Sequence, residues 1–129
     1  MKNVAAAVFV MLAAMTLAHA ADPHPFVGKW AVEGSKACTP QAGDGDLLLT
    51  VTAKRLDYYA SSCAIISSRR VSRSGDNTHR FKLRCTGEGT TTNSDRILVV
   101  LEKNESRPDM MVHIDPADWA VLSYLRCPG

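Results

Sequence analysis

His79-Arg80-Phe81-Lys82-Leu83-Arg84-Cys85 is the stretch on which the reading of the fold turns. His79, Phe81, Leu83 and Cys85 alternate with Arg80, Lys82 and Arg84, a period of two that gives a strand one buried face and one wet face. Ser74-Gly75-Asp76-Asn77 immediately before it is a strong turn signal. The preceding segment, 63–73, is rich in β-branched residues and serine, so the two runs read as consecutive strands joined by that turn.

The same pattern extends in both directions. On the N-terminal side, Leu47, Leu49 and Val51 alternate with Leu48, Thr50 and Thr52, and beyond Ala53-Lys54 the segment 55–60 offers Leu56 and Tyr58, a second hairpin. Further back, 26–33 puts Phe26, Trp30 and Val32 on one face, with Gly28 where a close backbone approach is allowed. A loop rich in Gly, Pro and Asp, Gly34 to Asp46, separates it from the rest. On the C-terminal side Thr86-Gly87-Glu88-Gly89 breaks the alternation, and Arg96 to Leu101 resumes it as a largely apolar strand expected to be covered on both faces. Met110 to Ile114 and Trp119 to Arg126 complete about eight strands, divided by Asn104 to Asp109 and by Pro116-Ala117-Asp118. A helix over 117–125, capped by Asp118, is the one alternative with any helical punctuation. A meander of this length disposes of its open edges most completely by closing, which predicts an all-β fold: a small antiparallel up-and-down β-barrel.

Length and composition bound the rest. The chain has 129 residues; Met1 to Ala20 reads as an export signal, with Lys2, an apolar run from Val4 to Leu17 and Ala18-His19-Ala20 as the cleavage site. That leaves a single domain, 21–129, of about 109 residues. The apolar run is too short for a bilayer span, and the absence of Cys at the cleavage point argues against a lipid anchor, so the processed protein is expected to be soluble and periplasmic or secreted. With 46% hydrophobic and 22% charged residues the chain is expected to fold rather than behave as a polar tail. Without Lys2, 14 basic residues face 13 acidic ones, so net charge gives no reason to expect nucleic acid as a partner.

Cys38, Cys63, Cys85 and Cys127 all lie in the exported part and are expected to form two disulfides, with Cys38–Cys63 and Cys85–Cys127 favoured among the three pairings. No C-x-x-C motif and no His/Cys cluster points to a metal, and no cofactor is expected.

Gly28-Lys29-Trp30 on the first strand and Arg126 on the last resemble the Gly-x-Trp opening and terminal-strand Arg of calycin-type barrels, the lipocalins and the bacterial Inh-type metalloprotease inhibitors. The resemblance implies that Arg126 lies across Trp30 as a structural plug at a closed barrel end. It also implies that Ala21-Asp22-Pro23-His24-Pro25, which carries two prolines and no terminal serine, matches the arm that Inh-type inhibitors place in a protease cleft.

Several other groups are candidates for chemistry. Six of the 14 processed basic residues, Arg69, Arg70, Arg73, Arg80, Lys82 and Arg84, fall between 69 and 84 with Asp76 as the single carboxylate there. A hairpin in this region sets Arg69 or Arg70 opposite Lys82, a like-charge pair that an acid such as Asp57 on a neighbouring strand would relieve, or that an anionic surface polymer or acidic partner protein would engage. His24, His79 and His113 are scattered, and Glu88 with Asp95 is the one conceivable carboxylate pair for a hydrolase. Tyr58-Tyr59 and Trp119 are expected to place one tyrosine and the tryptophan in the core. Serines are plentiful but stand in no nucleophile elbow, Gly87-x-Gly89 opens no helix for a phosphate, and Asn104-Glu105-Ser106 reads as a turn. No acid, base and nucleophile assemble from spacing. The expected function is therefore a non-enzymatic binding protein, an inhibitor of a hydrolase being one form of it, with a calycin-style carrier of a small ligand as the alternative.

Overall fold

The computed structural model describes residues 25–39, 43–71 and 77–129. Eight antiparallel strands follow one another around a closed barrel, and the last returns to pair with the first. They are β1 (Gly28–Val32), β2 (Leu48–Val51), β3 (Arg55–Asp57), β4 (Ser62–Arg70), β5 (Asn77–Gly87), β6 (Thr90–Leu101), β7 (Met110–Asp115) and β8 (Ala120–Arg126). The segment 117–125 is not helical: it is turn as far as Trp119 and strand from Ala120. Asp118 caps a turn there, accepting the Ala120 N–H at 2.9 Å, and Trp119 sits at φ 60°, which ends any helical course.

Alternation determines what fills the barrel. Trp30, Leu49, Leu56, Leu83, Leu98 and Met111 point inward and are almost wholly buried, with Phe81, Val51 and Val100 packed among them. Closure removes the sheet edges that a meander would otherwise expose and lets a chain this short surround a dry core. The strand 96–101 is covered on one side only: Leu98 and Val100 are buried, whereas Ile97 and Val99 lie half-buried on the outer face, flanked by Ile114 and Val112 of β7.

The disulfides are Cys38–Cys127 and Cys63–Cys85, which corrects the favoured pairing. Cys63 stands directly opposite Cys85 in the β4–β5 ladder, so the two are cross-strand neighbours. Cys127 follows β8, which closure places beside β1, and the Cys127 N–H donates to the Lys29 carbonyl at 2.9 Å. The loop leaving β1 therefore reaches Cys127, and Ala37 in that loop and Ala31 on the outer side of β1 are both buried.

One end of the barrel is sealed. The Arg126 guanidinium carbon lies 4.2 Å from the centre of the Trp30 ring. Its Nη1 donates to the Val27 carbonyl at 2.8 Å, Nη2 to the Pro25 carbonyl at 2.6 Å and Nε to Asp109 at 2.8 Å. The indole N–H of Trp30 donates to the Phe26 carbonyl at 2.8 Å. Gly28 is required beside this plug, because at φ 145° a Cβ would stand 2.5 Å from Arg126 Nη1. Partial burial works against the Asp109 carboxylate, but the Lys103 backbone N–H and Arg126 outweigh it and hold its pKa below the usual value.

Candidate functional site at the open end of the barrel

The opposite end is formed by the turns after β3, β5 and β7 and by the loop that enters β2. Here the inward positions stop being apolar. Above Leu98, β6 continues inward with Arg96, Ser94, Thr92 and Thr90; above Met111, β7 continues with His113 and Asp115. These side chains, with Tyr58 from the end of β3, form a polar layer over the apolar core.

The layer is connected. Tyr58 Oη and His113 Nε2 are 2.7 Å apart, and the Arg96 charge acts on both groups. Arg96 Nη1 also lies 3.2 Å from Asp115 Oδ2, and it donates to Ser94 Oγ at 2.5 Å and to the Asp95 carbonyl at 2.6 Å. Its Nε is buried without a hydrogen-bond partner.

Burial dictates how these groups titrate. Desolvation, aided by the nearby Arg96 charge, lowers the His113 pKa to about 4, so the ring is neutral at pH 7. Desolvation pushes the Tyr58 hydroxyl well above the usual phenol range, Arg96 offsetting only part of it, and raises Tyr124 as well. At neutral pH the layer therefore holds an uncharged imidazole, a protonated phenol and a guanidinium paired with a carboxylate.

Above the layer lies an open cavity of about 600 Å³. Tyr58, Arg96 and the Cys63–Cys85 bridge lie around its base, and hydroxyls of Ser61, Thr90, Thr92 and Ser94 line its sides. Asp46 and Glu88 add two carboxylates to the lining. Gly87 allows the walls to meet, since a Cβ there would stand 2.6 Å from the Ala60 carbonyl oxygen. Tyr59 and Trp119 project from turns at this same end, 76% and 71% exposed. Trp119 is thus not in the core as expected: the positive φ of its turn directs the β7–β8 connection away from the barrel, and the inward place in the polar layer is held by Tyr58.

Of the other sequence candidates, Arg69, Arg80, Lys82 and Arg84 share the outer face of β4 and β5, but Lys82 faces Ser67 rather than Arg69 or Arg70, so the like-charge pair is Arg69 with Arg80; a bulge between Ile65 and Ser67 shifts the register by one residue beyond it, and the remaining candidates are dispersed. The relieving acid is Asp95 on β6, 2.7 Å from Arg80, whereas Asp57 pairs with Arg55 and accepts a hydrogen bond from Ser62. Arg70 is opposite His79, and Arg73 lies outside the described residues. Ala21, Asp22, Pro23 and His24 are also outside them, while Pro25 accepts a hydrogen bond from Arg126 at the sealed end. His79 packs edge-on to Phe26 there, with ring centroids 5.0 Å apart, and is not gathered with His113. Asp95 points outward and Glu88 stands in the β5–β6 turn on the rim, so the two do not form a carboxylate pair. Among the described residues no three potential metal ligands come together.

The Arg96, Tyr58, His113 and Asp115 layer was not anticipated from the sequence. The alternation held the clue: Arg96 has the parity of Leu98 and Val100, and His113 that of Met111, so each is a polar residue at a core-facing position. No family model, curated protein or solved structure matches this chain.

Proposed function

We propose that this chain is a non-enzymatic binding protein of an oxidising, extracytoplasmic compartment and that it takes its partner at the open end of the barrel. The observation that carries the reading is the difference between the two ends. At one, a guanidinium stacked on an indole and bonded to two carbonyls and a carboxylate fills the opening. At the other, a cavity with a polar base is lined by exposed Tyr59, and Trp119 is exposed on a turn at the same end. Exposed Tyr and Trp are the residue types that anchor protein interfaces, and a rigid disulfide-linked frame lowers the ordering cost of recognition. Inhibition of a hydrolase is one activity of this class. The two disulfides support the oxidising setting.

The test is affinity capture from the parent extract with the protein and two variants. Capture of one partner should fail with Tyr59→Ala plus Trp119→Ala and persist with Lys29→Ala, an exposed change on β1 near the sealed end. Capture that ignores the aromatic pair refutes the reading. The cavity itself favours a second reading, a carrier of a small polar ligand, because about 600 Å³ lies within the range of ligand sites. Retention of one small molecule in a native mass spectrum, lost on Tyr58→Phe, would select it.

A further inference from the structure

β6 is longer than its second partner. It pairs with β5 over its whole upper length, from Val100 down to Thr90, but with β7 only from Ile97 to Leu101. Among the described residues no strand lies against the other edge of Thr90 to Arg96.

The direction of each backbone group on that edge follows from two bonds. The Val71 N–H donates to the Thr78 carbonyl at 3.1 Å, so Thr78 and every second residue of β5 after it point toward β4. His79, Phe81, Leu83, Cys85 and Gly87 then point toward β6, and their register partners Leu98, Arg96, Ser94, Thr92 and Thr90 point back. The Arg126 N–H bond to the Asp109 carbonyl at 3.0 Å gives the same phase from the β8 side, since it turns Ile114 and its partner Ile97 toward each other. Thr91, Asn93 and Asp95 therefore present their N–H and C=O groups outward. The Asp95 carbonyl is taken by Arg96 Nη1, which marks the lower end of the edge. Beside it runs a groove of about 390 Å³ between Arg80, Asn93, Ser94 and Asp95 and the β7–β8 turn at Asp115, Pro116 and Ala117, in which Arg80 is paired with Asp95.

We infer that an extended, basic segment of a partner polypeptide adds to β6 as a further strand along Thr91 to Asp95. Resting on the open-end reading, this names how the partner is held. A second copy of the chain is the wrong size of occupant. Two such edges would share a strip of a few residues, on the order of a few hundred Å², against the roughly 1,200 Å² or more of a stable dimer. A single strand needs only a groove and a row of backbone groups. Its alternate side chains would point over the cavity, where Asp46 and Glu88 are the carboxylates and Arg96, the one cation of the lining, is bonded to Asp115. That balance favours Lys or Arg on the inward side of the added strand.

The probe is a phage-displayed library of random linear twelve-residue peptides panned on the intact disulfide-bonded protein. Selected sequences should be rich in Lys or Arg and poor in Pro. The best is synthesised and its affinity measured for the protein and for Asn93→Pro, which deletes an outward N–H and leaves the β5 ladder intact. Affinity should fall at least about tenfold. N-methylation of the peptide at every second residue should abolish binding in one phase and leave it unchanged in the other, a readout that needs no altered protein. Failure of any peptide to enrich, or indifference to both N-methyl phases, overturns the inference. Peptides that respond to Tyr59→Ala plus Trp119→Ala but not to N-methylation would sink strand addition while keeping the open-end reading. Peptides that respond to neither would sink both.

Discussion

His113 makes the stability of the barrel sensitive to mild acid. The ring is 7% exposed and its hydrogen-bond partner is the hydroxyl of half-buried Tyr58. Desolvation and Arg96 lower its pKa from 6.5 to about 4. The unfolded chain then binds a proton at this site throughout the interval between those values while the folded chain does not, so stability falls as pH falls. It is fully present above 6.5 and progressively lost toward 4, where the slope flattens. At 1.36 kcal/mol per pH unit the total is about 3 kcal/mol, a large part of the stability of a domain this size. Urea unfolding at half-unit steps from pH 7.5 to 4, on the protein and on His113→Gln, isolates the effect, because the carboxylates and the other histidines are common to both. The difference in unfolding free energy should shrink or reverse by about 3 kcal/mol across the window. The His113 Cε1 proton should shift in NMR spectra only near pH 4. A midpoint near 6.5, or parallel curves for the two proteins, would refute the burial argument.

Three further outcomes follow from the same contacts. Arg126→Met keeps apolar contact with Trp30 but strands Asp109 and two carbonyls, and should cost about 3 kcal/mol in urea unfolding, with Arg126→Lys failing to restore it because an ammonium cannot fill the planar fork. Non-reducing peptide mapping should recover Cys38 with Cys127 and Cys63 with Cys85; opening the first, which spans 89 residues, should cost about 4.5 kcal/mol and the second, spanning 22, about 3 kcal/mol by chain entropy. Arg96→Leu alone should destabilise by leaving Asp115 without its cation, whereas Arg96→Leu with Asp115→Leu should unfold at the same or a higher urea concentration while losing whatever binds at the open end.

Local periodicity made the strands legible, and His79 to Cys85 is the clearest case: every residue faces the side its polarity predicts. What eluded the sequence depends on closure or on a single irregularity. Cys127 reaches Cys38 because β8 lies beside β1, a contact between the two ends of the domain that no local pattern encodes. The extra residue at Ile66 is an ordinary β-branched residue in an ordinary strand, yet it decides that Arg69 meets Arg80 and Lys82 meets Ser67. Trp119 is expected in the core rather than in an exposed aromatic contact, and its positive φ in the turn after Pro116 leaves it exposed instead. The plug at Trp30 and Arg126 was expected only through the resemblance of Gly28-Lys29-Trp30 and Arg126 to calycin-type barrels, not from any local pattern. The polar layer was less legible because its members come from three strands and make sense only once those strands share an interior.

The polar layer bears on function through its cost. Packing Leu or Met at 96 and 115 would continue the dry column of Leu98, Val100 and Met111 and seal this end as Trp30 and Arg126 seal the other. The chain instead holds a guanidinium and a carboxylate with side chains 20% and 25% exposed and leaves one guanidinium nitrogen buried without a partner. Desolvating such a pair consumes most of what its attraction returns, so the pair adds little to folding. What it does fix is position. Tyr58 is joined to His113, and both Asp115 and the Asp95 carbonyl are drawn onto the Arg96 guanidinium, so one side chain links the base of the cavity to the lower end of the open β6 edge. A layer that contributes little to stability and fixes the geometry of an opening is the part of the barrel on which the proposed open-end binding rests.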